Sequence, residues 1–297
     1  MQAGVSFAAI NLNPFNPGTG SRPLPGYAAE NYNADTLYST YNALQVQLRR
    51  NIGRLNLETN YTWSHEIDDL VNVFGGWSNP YNPGVDRGSG DWDVRHNFTA
   101  SLLYSLPDLK GSSSLLRGVL GGWQTSSIFQ MRSGLPSNVQ LISGFFGLPM
   151  RPNFTGQPVK TGDINWPDHS YNVGAFQLEP DYNGVWGDVI GEVGRNYLRG
   201  PGFFQWDLSL MKNFPITEKI KLQFRSDFFN ILNHPNFGNP DTGICTSINP
   251  PAAPGDPYTC NVNQSFGKVA GTIADLSGGD IGNGTSRQVQ FSLKLMF

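Results

Sequence analysis

Alternation of apolar and polar residues is the dominant pattern of this sequence, and it recurs in segments of about ten residues. The final segment has one apolar row and one polar row: Val289, Phe291, Leu293, Leu295 and Phe297 alternate with Gln288, Gln290, Ser292 and Lys294. Successive side chains of a β-strand point to opposite faces, so one face of this strand suits hydrocarbon and the other suits water. A tilted strand of about ten residues is also long enough to cross a bilayer. The pattern therefore indicates transmembrane β-strands.

The alternation predicts seven strands, at residues 41–51, 54–64, 96–106, 121–132, 203–213, 218–232 and 287–297. Residues 2–10 alternate as well and are a candidate for an additional strand. The residues Asn51, Ile52 and Gly53 are predicted to form a tight turn between the first two strands of the seven.

The connections between these strands alternate in length. Those at 51–53 and 213–218 are short and the one at 107–120 is of medium length, whereas 66–94, 133–202 and 233–286 are long. Outer-membrane barrels have short periplasmic turns and longer extracellular loops. We therefore predict an all-β fold: an antiparallel transmembrane β-barrel segment of about seven or eight strands, with long extracellular loops.

The composition is compatible with this fold and excludes several others. The mean hydropathy of −0.33 and the lack of any run of 18 apolar residues exclude a transmembrane helix. A net charge of −3 provides no electrostatic footprint for nucleic acid. A transmembrane strand exposes only alternate residues to lipid, so a membrane barrel can be polar on average.

A soluble β-sandwich is the alternative fold, because alternation there also marks one buried face. The loop at 133–202 is about 70 residues long, which is rare between the strands of a sandwich. The loop lengths therefore favour the barrel.

Six segments, taken in order, resemble the C-terminal end of Oar-like TonB-dependent outer-membrane receptors, whose full-length members often carry a carboxypeptidase-regulatory-like domain. They are SRPLPGY (21–27), YNALQVQLRRNIGRLNLETNYTWSHEIDD (41–69), DWDVRHNFTASLLYSLP (91–107), GWQTSSIFQMRSGLP (122–136), FNILNHPNFGNP (229–240) and the last strand, which ends on Phe297. The resemblance covers most of the strand-forming chain, but not the loop at 140–200.

The resemblance implies a bacterial outer-membrane protein with a 22-strand barrel, which is plugged by an N-terminal domain and imports a nutrient. The expected partners are outer-membrane lipid, the plug domain and missing strands, the barrel-assembly machinery, and the inner-membrane TonB system. Neither a plug nor a TonB box is visible in this sequence, so we expect it to be the last third of such a receptor. Alternatives are a stand-alone eight-stranded barrel that acts as an adhesin or passive pore, and an outer-membrane hydrolase.

Two sets of residues carry these expectations. The polar rows are expected to line the lumen wall beside the plug: Gln45, Gln47, Glu58, Asn60, Lys221, Gln223, Arg225, Asp227 and Gln290. The terminal row of Phe291, Leu293, Leu295 and Phe297 resembles the signal read by the barrel-assembly machinery, although an ordinary amphipathic edge strand has the same pattern. We expect neither catalysis nor a cofactor from the wall.

Other residue clusters suggest further hypotheses. His65 and His96 lie at predicted strand ends near acidic residues, where they suit either a metal or acid–base site or an ordinary solvated rim. Asp86, Asp91 and Asp93 have the oxygen ligands of a calcium loop, but acidic residues are also common turn formers. Cys245 and Cys260 are close enough in sequence for a local disulfide, with two free thiols as the alternative.

Overall fold

The structure is a computed structural model that describes residues 8–11, 31–34, 37–70, 82–111, 113–142, 150–160, 162, 166–168, 171–180, 182, 190–273 and 286–297. The strands are β1 (Ala8–Asn11), β2 (Asn31–Ala34), β3 (Ser39–Ile52), β4 (Leu55–Asp68), β5 (Gly88–Ser89), β6 (His96–Ser105), β7 (Trp123–Arg132), β8 (Pro136–Ser137), β9 (Gln140–Ile142), β10 (Asn153–Phe154), β11 (Phe176–Gln177), β12 (Leu198–Arg199), β13 (Phe203–Pro215), β14 (Lys221–Phe229), β15 (Gly243–Asn249), β16 (Thr259–Val262) and β17 (Gln288–Met296). An α-helix, α1, spans Ser114–Leu120, and 3-10 helices span Pro83–Asp86 and Val173–Ala175. None of the helices in this part of the chain has the length and apolar character needed to span a membrane.

Seven long strands form one antiparallel sheet in the order β17-β14-β13-β7-β6-β4-β3, with the short β5 paired to the end of β4. Each of these seven lies beside the long strand that precedes it in the chain, so the sheet is an up-and-down meander like the wall of a membrane barrel. The prediction of an all-β antiparallel fold is confirmed. Among the described residues, β3 pairs only with β4 and β17 only with β14, so the wall is not closed.

The register places all apolar rows on one face of the sheet. Leu44 lies opposite Trp63, Leu57 opposite Leu102, and Phe228 opposite Val289. Several of these side chains are strongly exposed, including Leu44 at 57% and Leu293 at 69%. An exposed apolar surface that extends across seven strands requires an apolar partner, as the lipid-facing prediction supposes. We call this the apolar face and the opposite one the polar face.

Thr125 and Ser127 interrupt the apolar row of β7, and the structure accounts for the serine. The indole Nε1 of Trp206 donates a hydrogen bond of 2.7 Å to Ser127 Oγ on the neighbouring strand. A buried tryptophan N–H needs such an acceptor. The hydroxyl therefore satisfies a polar group that would otherwise face hydrocarbon.

Two connections differ from the sequence prediction. Ile52 still pairs with Leu55, so Gly53 and Arg54 form a two-residue hairpin turn in place of the predicted turn at residues 51–53. Gly53 has φ of 55°, as the first central residue of a type II′ turn requires. The connection at 107–120 contains α1, which the sequence analysis did not predict.

The additional strand proposed at 2–10 is present only in part. Residues 8–11 form β1, which pairs with β2 in a separate two-stranded sheet, and residues 1–7 lie outside the described part of the chain. Within the described residues, β1 therefore does not add an eighth strand to the wall.

The described parts of the long connections 133–202 and 233–286 form a folded unit that we call the cap. Its small sheets pair β9 in parallel with β15, β15 with β16, β8 with β12, and β10 with β11. Cys245 and Cys260 form a disulfide across β15 and β16. The buried core consists of Val139, Leu141, Met150, Tyr171, Ala175, Phe176, Tyr182, Val193, Leu198, Ile244, Cys245 and Phe266. These loops therefore pack around their own hydrophobic core.

Candidate functional site

The nine residues predicted to line the lumen all lie on the polar face of the sheet. Gln45, Gln47, Glu58 and Asn60 are on β3 and β4, whereas Lys221, Gln223, Arg225, Asp227 and Gln290 are on β14 and β17. The strands β6, β7 and β13 separate the two groups. The structure therefore brings these residues together as two polar patches on one wall.

Within each patch the side chains bind their neighbours. Gln47 Nε2 donates to Glu58 Oε1 at 3.0 Å, and Arg49 Nη2 lies 2.8 Å from Glu58 Oε2. In the second patch, Arg225 Nε donates to Asp227 Oδ1 at 2.8 Å, and the Ser209 hydroxyl donates to the same oxygen. These contacts pair Arg49 with Glu58 and Arg225 with Asp227 on the polar face.

At the end of the sheet that carries the long loops, which we call the loop end, an arginine of the cap binds the wall. The Arg195 guanidinium contacts Asp68 Oδ1 at the end of β4 and donates to Asp91 Oδ1 at 2.9 Å. Arg195 is 5% exposed. The adjacent Asn196 donates through Nδ2 to Ser89 O and Asp91 Oδ1, both at 2.7 Å. Because a buried charge is costly unless it is paired, separating the cap from the strand end would leave the Arg195 charge uncompensated.

Asp93 is the second point of attachment. Its Oδ2 contacts the guanidinium groups of Arg95, at 2.7 Å, and of Arg199, and its Oδ1 accepts from the backbone N–H of Glu66 at 2.9 Å. Burial on its own raises the pKa of Asp93, but the hydrogen bonds from Glu66, Arg199 and Arg95 outweigh it and hold the pKa at about 2. Asp93 is therefore ionised at neutral pH and links the cap to the loop that precedes β6.

A further ion pair joins the cap to the connection between β4 and β6. Arg151 Nη1 is 3.5 Å from Asp86 Oδ1, and both residues are almost fully buried. Burial lowers the pKa of Arg151, and the charge of Asp86 partly offsets that effect. We call the arginines Arg151, Arg195 and Arg199, together with the aspartates that they contact, the arginine clamp: the aspartates are Asp68, Asp86, Asp91 and Asp93.

The arginine clamp accounts for the acidic residues that suggested calcium. Asp86, Asp91 and Asp93 contact Arg151, Arg195 and Arg199 respectively. The described residues contain no cluster of three or more His, Cys, Asp or Glu side chains arranged to hold a metal. In this structure the three carboxylates serve as partners for guanidinium groups.

The two histidines of the rim have separate partners. His65 Nε2 lies 3.2 Å from Arg95 Nη2, whereas His96 Nδ1 forms a hydrogen bond of 2.8 Å with the Tyr61 hydroxyl. These contacts therefore do not bring His65 and His96 together in one acid–base site.

The cap surface carries an open polar groove of about 370 Å³. It is lined by Gln140, Asn239, Pro240, Asp241, Thr242, Lys268 and Ala270. Backbone and side-chain bonds hold its walls, including Asn263 Nδ2 to Asp241 Oδ2 at 2.9 Å and Thr242 Oγ1 to Asn138 O at 2.6 Å. With Lys268 exposed at its edge, the groove offers both a cation and amide groups to a polar ligand.

The terminal row lies on the apolar face at one edge of the wall. Phe291, Leu293 and Leu295 are 66%, 69% and 53% exposed, and Phe297 directly follows β17 at 96%. The row is therefore accessible on the sheet edge, as recognition by another protein requires.

Sequence reasoning missed the arginines of the clamp. Arg151, Arg195 and Arg199 lie in a connection without periodicity, and Arg195 is 127 positions from its partner Asp68. The only available signal was compositional, since an aspartate-rich segment at 86–93 needs cationic partners somewhere in the chain.

The family model described as "Outer membrane beta barrel domain" matches residues 2–290. Neither the curated proteins nor the solved structures contain a significant match.

Proposed function

Because the chain belongs to the outer membrane beta barrel domain family and lies in the bacterial outer membrane, we propose that it forms the C-terminal wall of a TonB-dependent receptor that imports a nutrient. The motifs shared with Oar-like receptors support this subtype. The wall contributes the polar face, and the cap contributes the surface that meets the ligand. We expect no catalysis from either part.

The cap is the observation that carries this proposal. A passive pore needs only a hydrated lumen, whereas a receptor needs a surface that is ordered before the ligand arrives. Here the long loops have their own core, a disulfide and buried arginine pairs to the wall. They present a polar groove that is large enough for a small polar molecule.

The two free edges of the wall support the proposal that it is part of a barrel with more strands. Strands that end a sheet in lipid leave backbone N–H and C=O groups unsatisfied, at a cost of several kcal/mol for each group. In the described residues, β3 and β17 each have one free edge. Further strands of the same receptor are the natural partners for these edges.

The proposal is tested in the full-length protein in its own outer membrane. A photo-crosslinking amino acid at Gln223, on the polar face, should form a crosslink to a plug domain within the same protein. The same photo-crosslinking amino acid in place of Leu293, on the apolar face, is the matched control and should form no crosslink to the plug domain. An open, stable conductance of the purified protein in a planar bilayer, without any crosslink from residue 223, would show a passive pore and refute the proposal.

The gene provides a second test. Coding sequence in frame before residue 1 should encode a plug domain and a TonB box. A secretion signal joined directly to residue 1 would instead identify a small stand-alone barrel.

A further inference from the structure

The helix α1 (Ser114–Leu120) lies on the apolar face, at the end of the sheet opposite the loop end. We call this the turn end, because it carries the short connection between β3 and β4. The indole Nε1 of Trp123 donates to Val119 O at 2.8 Å, and Trp123 stacks edge-on against Phe224 of the apolar face. The helix is therefore attached to the side of the wall that meets lipid.

All seven residues of α1 are exposed, although four of them are large and apolar. Leu115, Leu116, Val119 and Leu120 are 76%, 50%, 55% and 54% exposed. At 100° per residue they fall within an arc of about 140°, and Arg117 lies on the other side of the helix. A helix of two turns is only marginally stable in water. An amphipathic helix of this kind is stabilised where one side meets hydrocarbon and the other meets water.

Lys212 explains how the helix is held there. This residue pairs with Trp123 in the sheet and so lies on the apolar face, where an uncovered ammonium group is unfavourable. It is only 5% exposed, because its Nζ donates to Gly118 O and, at 3.1 Å, to Val119 O. The same ammonium lies 5.1 Å from the centre of the Phe214 ring. Lys212 thus caps the C-terminal carbonyls of α1, where a cation is favourable.

We propose that α1 is an interfacial lipid anchor, whose four apolar side chains insert among the acyl chains of the phospholipids that surround the turn end of the wall. The anchor is continuous with the apolar face through Trp123 and Phe224, so one lipid boundary covers both. Lys212 is a positioning residue, which fixes the helix on this side of the wall. This inference depends on the outer-membrane location and not on the transport function.

The test measures how deeply α1 lies in lipid. The full-length protein is reconstituted, one copy per disc, in nanodiscs of phosphatidylcholine and phosphatidylglycerol, with a single cysteine spin label at Leu116→Cys. Cys245 and Cys260 are bonded to each other, so the introduced thiol is the only one in this chain that takes the label. Labels at Leu293→Cys and Lys110→Cys mark the apolar face and the exposed turn.

We expect the label at residue 116 to collide more often with oxygen than with a water-soluble nickel chelate, as the label at 293 does. If its accessibility equals that of the label at 110, the anchor is refuted. Protection from nickel in native membranes but not in nanodiscs would mean that a partner protein covers α1, which also overturns the lipid proposal.

The role of Lys212 is tested separately with Lys212→Met in the labelled protein. We expect the label at 116 to gain mobility and at least threefold greater collision with the nickel chelate. Lys219→Met, at an exposed position in the neighbouring turn, is the matched control and should leave the label unchanged. Heat-modifiable migration on gels verifies that each variant is folded. A folded Lys212→Met protein whose label does not change would refute the positioning role.

Discussion

Arg195 and Asp68 form a buried ion pair that joins positions 127 residues apart, between the cap and the end of β4. Asp91 binds the other side of the same guanidinium at 2.9 Å. These charged groups contribute to the attachment of the cap to the wall, and their contribution can be measured by changing them.

Replacement of Arg195 by Met should loosen the attachment of the cap to the wall. Removing one partner of a buried pair leaves the other charge uncompensated, which costs about 3 kcal/mol. We expect faster amide hydrogen exchange at Gly90 and Asn196, measured by mass spectrometry of the folded protein. The exposed pair of Arg49 and Glu58 provides the control, because Arg49→Met should change stability by less than about 1 kcal/mol. Equal exchange in the two variants would contradict the clamp.

Acid should loosen the same junction through Asp93. Its pKa falls from an ordinary 3.8 to about 2 in the folded protein, so the stabilisation is complete above about pH 4 and is lost as the pH falls towards 2. The free energy involved is on the order of 2 kcal/mol. The exchange protection of the Glu66 amide, which donates to Asp93, should therefore decrease over this range once intrinsic rates are corrected. Asp93→Asn should already show the low protection at pH 7, whereas a pH-independent wild-type value would exclude this role.

Two backbone segments approach each other closely at the two ends of the connection between β7 and β13. A Cβ atom at Gly134 would lie only 1.8 Å from Gly200 O, so Gly134→Ala must displace one segment. We expect a loss of about 2 kcal/mol, which is typical of such overpacking, with increased proteolysis of the cap. Gly118→Ala in α1 is the matched control, since a Cβ there meets nothing within 4 Å. The Gly118→Ala variant should be as stable as the unchanged protein or more stable by about 1 kcal/mol. If protease cleaves the two variants equally fast, the prediction is contradicted.

The orientation of the wall follows from loop length and can be measured on intact cells. A cysteine at Ala252, in an exposed loop of the cap, should react with a membrane-impermeant maleimide, and one at Ile52 in the β3–β4 hairpin should not. Both should react after the outer membrane is permeabilised, which shows that each thiol is accessible. Labelling of position 52 alone on intact cells would reverse the assignment of the two ends.

The strands were predictable because alternation is a local property. The predicted strand at 96–106 corresponds to β6 (His96–Ser105), and the one at 287–297 corresponds to β17 (Gln288–Met296). The turn was predicted at 51–53 but lies at Gly53 and Arg54, since a polar Asn51 looks like a turn former while its pairing with Asn56 depends on register. Helix α1 was missed because seven residues are too short for a periodic signal and the helix depends on Lys212, more than 90 positions away.

Of the candidate site, the sequence predicted the polar face of the wall but not the cap. Gln223 and Asp227 alternate with the apolar residues of β14, so they lie on the polar face once the apolar row is assigned to lipid. The cap was expected to be a set of loops, and nothing in the linear sequence links Val139 to Phe266 or Asp93 to Arg199.

By itself, the sequence determined the fold class, the number and faces of the long strands and the membrane that they suit, because strand geometry converts alternation directly into two surfaces. Only the tertiary structure decided which loop arginine neutralises which aspartate, where the cap core forms and on which side of the wall α1 lies. These features arise from contacts between residues far apart in the chain, and the burial that drives such contacts has no period along the sequence.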